Sequence, residues 1–96
     1  MIIKLSESAR KDLHKGFNYY EEKSSGLGNY YIDSMFSEID SLQIYAGIHI
    51  KIDNHFRLLT KRFPYSIYYR IVDEIIYIDA VLDCRSDPEN IHKRIK

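Results

Sequence analysis

The hydrophobic period of this chain changes from helical to alternating near Gly47. From Ala9 to Ala46 apolar residues recur at helical spacing, and from Ile48 they alternate as they do along strands. Ala9, Leu13, Phe17 and Tyr20 make one helical stripe. Ser6 stands ready as its N-cap and Glu7 as a first-turn acid that suits the helix dipole. Ser24-Ser25-Gly26 reads as a turn. A second stripe follows in Tyr31, Met35, Ile39 and Leu42, widened by Ile32, Phe36 and Ala46. The spacing predicts a helix from about Gly28 to Ala46, with Gly47 placed for a left-handed cap. Two amphipathic helices joined by so short a connection predict an antiparallel hairpin.

Strand signals flank that hairpin. Ile2 to Leu5 is short and β-like. Ile48 to Ile52 alternates until Asp53-Asn54 breaks it, and Phe56 to Phe63 reads as the next strand, interrupted by Pro64. Tyr65, Ile67, Tyr69 and Ile71 then form one apolar face, with Ser66, Tyr68 and Arg70 on the other. Asp73-Glu74 makes a tight turn into Ile75 to Leu82, where Ile76, Ile78, Ala80 and Leu82 are predicted to face the core. Asp87 and Pro88 start a short last helix through Lys96. Helices segregated from a run of strands make this an α+β chain. The expected order is an N-terminal strand, a helical hairpin, a mainly antiparallel twisted sheet of three or four strands and a short C-terminal helix, in a single domain over 1–96.

Composition removes several classes. The apolar runs are too short to cross a membrane, so no membrane partner is expected. Met1 to Leu5 opens directly as a strand, without a secretory leader pattern, and the cytoplasm is the expected location. Cys84 is a single cysteine, and the four histidines make no zinc pattern, so neither metal nor other cofactor is expected. Lys and Arg balance Asp and Glu at 14 each, but unevenly along the chain. Residues 54–72 carry Arg57, Lys61, Arg62 and Arg70 with no acid, whereas 73–82 carry Asp73, Glu74 and Asp79 with no base. The basic segment is either ordinary sheet-surface charge or a local anion-binding patch.

Phe63-Pro64-Tyr65-Ser66-Ile67-Tyr68-Tyr69-Arg70, a short turn, then Ile78-Asp79-Ala80-Val81-Leu82-Asp83-Cys84-Arg85-Ser86-Asp87-Pro88 resembles the C-terminal half of RelE/ParE toxins. Tyr19-Tyr20 near the end of the first helix and a glycine turn before a long second helix extend the resemblance over about residues 1–88. It implies the toxin of a type II toxin–antitoxin pair, bound by a cognate antitoxin as a hetero-oligomer. Two activities are then open. RelE-like members cleave mRNA on the ribosome, and ParE-like members inhibit DNA gyrase; a degenerate, non-toxic antitoxin-binding module is a third possibility.

Cleaving RNA needs a general base, cations for the developing phosphorane charge and an acid for the leaving oxygen. In the nuclease branch an Arg or Lys typically stands where this chain has Ser66, and a Tyr or His often follows the last strand, where this chain has none but His92. A sequence pI near 6.9 is also a poor fit to gripping ribosomal RNA. Val81-Leu82-Asp83-Cys84-Arg85 is nearer the ParE-like pattern, although Asp83 replaces its histidine. No catalytic residue is assigned. Arg57, Lys61, Arg62, Tyr68, Arg70 and Arg85 are the candidates for target or antitoxin binding. Tyr68 would interleave with the arginines if they share a face.

Overall fold

The computed structural model describes residues 1–96, with β1 (Ile2–Leu5), α1 (Glu7–Lys23), α2 (Leu27–Asp40), α3 (Leu42–Tyr45), β2 (Ile50–Ile52), β3 (His55–Leu59), β4 (Tyr65–Val72), β5 (Ile75–Asp83) and α4 (Pro88–Ile95). The five strands form one sheet in the order β1-β5-β4-β3-β2. Every neighbouring pair is antiparallel except β1 with β5. The predicted α+β order therefore holds, with the first strand joined to the edge beside the last one.

The helical hairpin covers one face of the sheet. Ala9, Leu13 and Tyr20 of α1 and Tyr31, Met35 and Ile39 of α2 bury against Leu58, Ile67, Tyr69, Ile76, Ile78 and Val81. Ser6 caps α1 by accepting from the Ala9 amide at 3.0 Å. The same residue ties the helix to β5, donating its amide to the Ile78 carbonyl and its hydroxyl to the Asp79 carbonyl. At the far end of the hairpin, Tyr20, Tyr31, Phe63 and Tyr65 nest with ring centroids 4.7–6.2 Å apart. Burial raises the Tyr65 hydroxyl to a pKa of about 12. The Phe63-Pro64-Tyr65 turn thus carries core side chains.

Four expectations need correction. The second helix ends at Asp40 rather than Ala46, because the Ser41 hydroxyl donates to the Glu38 carbonyl and the chain restarts as the one-turn α3. Strand β2 begins at Ile50, not Ile48. Strand β3 stops at Leu59, not Phe63, because the Thr60 hydroxyl bonds the carbonyls of Phe63 and Tyr65 and closes the chain into a turn. The last concerns β5. Tyr68 pairs with Ala80 but Tyr69 pairs with Ile78, which leaves Asp79 as an unpaired bulge residue. Beyond the bulge, Val81 joins the main core while Ala80 and Leu82 turn to the opposite face.

Candidate interaction face

The face of the sheet away from the hairpin carries the chain's charged chemistry. Its rows follow from the register: Ile50 lies opposite Arg57, Arg57 opposite Tyr68, and Tyr68 opposite Ala80. A neighbouring row contains Leu59, Ser66 and Leu82. Helix α4 lies over part of this face and packs Ile91 and Ile95 against Tyr68, Ala80, Leu82 and Ile52. Asp87 caps α4 by accepting from the Glu89 amide, with Pro88 at its start. Arg94 fastens the helix through two bonds to Asp12 at 2.8 and 2.7 Å, and Asp12 also accepts from the Val81 amide.

Alternation after Ile78 turns the Asp79 side chain onto this face, and the bulge sends Ala80 to the same side. Asp79 Oδ2 accepts from His55 Nε2 at 2.8 Å and from Arg70 Nε, while Oδ1 accepts a longer bond from Arg70 Nη2. A carboxylate only accepts, so the imidazole proton here sits on Nε2. Burial pushes the Asp79 carboxyl up, but hydrogen bonds from Arg70 and His55 outweigh that and hold it below the usual carboxylate range. The Arg70 guanidinium also lies over the Tyr77 ring, 5.0 Å from its centroid. These groups, with Ser6, Ser8, Arg94 and Lys96, line a cleft of about 440 Å³ beside the start of α1.

A family profile described as ParE toxin of type II toxin-antitoxin system, parDE, matches residues 3–88. The chain belongs to the ParE toxin family. No curated protein matches it significantly. Among solved structures, the chromosomal ParDE toxin–antitoxin system from P. aeruginosa contains a chain with a TM-score of 0.71 at 20% identity, covering 84% of this chain and 92% of that one. A chain of the RelBE2 toxin–antitoxin complex from Mycobacterium tuberculosis reaches a TM-score of 0.50 at 21% identity, covering 83% and 93%. At these identities the two structures attest the fold that the ParE profile implies.

In this ParE-family chain the candidate residues do not all converge. Arg57, Tyr68 and Arg70 share the face. Tyr68 is only 3% exposed because Ile95 covers it, so its ring is not available for the stacking expected of it. Lys61 and Arg62 are exposed in the β3–β4 connection, where the Lys61 amide donates to Glu38. Arg85 is held by the Asp83 carboxylate at 2.9 and 2.7 Å, at the end of β5 near Tyr20. Reading the sequence missed Asp79, Asp12 and Arg94, which organise the face. A signal for Asp79 was present, since Ile76 and Ile78 are out of phase with Val81.

Proposed function

We propose that this ParE-family toxin arrests growth by binding DNA gyrase as a protein partner, and that a cognate antitoxin neutralises it. The observation that carries this reading is the pairing of three arginines with carboxylates. Arg70 is paired with Asp79, Arg94 with Asp12 and Arg85 with Asp83. Tight RNA binding draws on cations free to replace counterions along the phosphate backbone, and paired arginines contribute little to that. Ser66 points the same way. It is 1% exposed, with its hydroxyl 3.0 Å from Cys84 Sγ, so the position that carries a cation in the nuclease branch offers no solvated place for one. A protein target fits the mixture of apolar and paired polar groups on the face better than a nucleic acid does.

The test is induction without antitoxin, read by RNA 5′-end mapping together with a gyrase supercoiling assay on the purified protein. Growth arrest with intact messages and inhibited supercoiling is expected, and Arg57→Glu should weaken the inhibition. New 5′ ends inside translated codons would establish the ribosome-dependent nuclease instead. Unaltered growth would mark a degenerate module.

A further inference from the structure

The hairpin buries one side of each helix in the core and turns the other side outward, away from the sheet. Between the two helices the outer surface holds a groove of about 240 Å³, lined by Leu5, Phe17, Ile32 and Phe36, with Arg10 and His14 at its rim. Phe36 is 40% exposed, so an aromatic ring stands open in the middle of an apolar strip.

Charge divides the same surface into two bands. Helix α2 carries Asp33, Glu38 and Asp40 and no base. Glu38 is taken by the Lys61 amide, whereas Asp33 and Asp40 are exposed, form no ion pair and lie within one turn of Phe36. On α1 the acids are engaged instead. Asp12 holds Arg94, Glu21 accepts from the Gly26 and Gly28 amides, and Glu7 lies 3.8 Å from Lys11. Arg10 and Lys15 stay exposed without an ion pair, and with Lys11 and His14 they border one depression on the outer side of α1. The surface therefore runs from a basic band on α1, through the apolar strip, to an acidic band on α2.

That order is complementary to itself. A two-fold axis lying along the strip, parallel to the helices, turns a second copy so that its basic band meets the acidic band of the first and apolar meets apolar. The in-plane axis at right angles to it would set base on base and acid on acid. The area also matters. The 17 residues of α1 make a helix about 25 Å long, and two helices side by side are about 20 Å wide, so each copy offers roughly 500 Å². Two such faces make an interface at the small, weakly associating end of the range, in which charge matching counts and salt weakens binding.

We infer that the outer face of the helical hairpin docks a second copy of this chain, forming a two-fold dimer with α1 of each copy against α2 of the other. The dimer leaves the Arg57 and Arg70 face of the sheet uncovered, and it does not depend on what that face binds.

Sedimentation velocity of the purified full chain, from about 10 µM to about 1 mM, tests it. A monomer–dimer equilibrium is expected, with less dimer at high salt. Phe36→Asp should weaken it by at least about tenfold. The double substitutions Arg10→Glu with Lys15→Glu, and Asp33→Lys with Asp40→Lys, should each abolish self-association while leaving the circular dichroism spectrum unchanged. Mixing these two charge-reversed proteins should restore a dimer with one copy of each, because one then presents acid on both bands and the other presents base on both. A wild type that stays monomeric throughout would overturn the proposal. So would a dimer that tolerates Phe36→Asp and both reversals, or a mixture of the reversed proteins that stays monomeric.

Discussion

Replacing Asp79 with Asn keeps the size of the side chain and removes its charge. In the wild type three donor contacts converge on the carboxylate: His55 Nε2, Arg70 Nε and the longer Arg70 Nη2. Hydrogen bonds to charged groups contribute about 1.5–3 kcal/mol each when shielded from water. The His55 side chain is 9% exposed, so its loss counts nearly in full. The Arg70 side chain is 40% exposed and water replaces much of what it loses, leaving roughly 0–1 kcal/mol. The expected cost is about 2 kcal/mol near pH 7, or roughly 10 °C in the melting midpoint of a domain this small. Its pH dependence has a definite sign. A carboxyl whose folded pKa is depressed stabilises the fold above the value it has in the unfolded chain, near 3.9, and that contribution is lost as pH falls through the folded value. The gap between wild type and Asp79→Asn is therefore full at neutral pH and closes in acid. Urea unfolding followed by circular dichroism at pH 7 and pH 3 measures it. Equal midpoints at pH 7, or a gap that persists undiminished at pH 3, would refute the reasoning.

Gly16→Ala should destabilise the chain by about 1–2 kcal/mol in urea unfolding, because the new Cβ would lie 2.4 Å from the Tyr31 ring and overpacking exceeds the ~1 kcal/mol that Ala gains in helix propensity; a higher midpoint would show that the hairpin has room to part. Ser66→Arg should cost more than about 2 kcal/mol and give no RNA cleavage, because the position is buried against Cys84. A stable Ser66→Arg protein that generates new RNA 5′ ends would mean that the face is a nuclease site short of one cation.

Most of the architecture was legible because burial imposes periodicity. The stripe Ala9, Leu13 and Tyr20 and the alternation Tyr65, Ile67 and Tyr69 both lie in the core they predicted. Boundaries were less legible, because single polar side chains decide them. Ser41 interrupts a helix whose apolar pattern runs on to Ala46, and Thr60 ends a strand whose pattern runs on to Phe63. The site was legible only in part. Alternation put Tyr68 and Arg70 on one face and left Arg57 open; the register places Arg57 opposite Tyr68, and alternation could not say that α4 would bury Tyr68. Nor could it give the carboxylate partners. Asp12 and Arg94 meet across 82 residues of chain, and no local pattern encodes such a pair.

Asp79 also explains how one sheet face supports two kinds of contact. Without it, β5 would read Ile76, Tyr77, Ile78, Ala80, Val81, Leu82 in unbroken alternation, with Ile76, Ile78 and Val81 in the core and the others opposite. The bulge is a one-residue insertion into a regular strand, and it leaves the core pattern on both sides intact. It adds a carboxylate beside Arg70 and His55 and a carbonyl that accepts from Ser6. Deleting Asp79 should therefore leave the hairpin and its core packed, with an unchanged circular dichroism spectrum and a free energy of unfolding lowered by no more than about 3 kcal/mol. It should also free Arg70, raise affinity for single-stranded RNA and make that binding steeply salt-dependent. If the deletion unfolds the chain, the bulge is a requirement of the sheet itself. If the chain folds and RNA affinity stays flat across salt, Asp79 is not what neutralises the face.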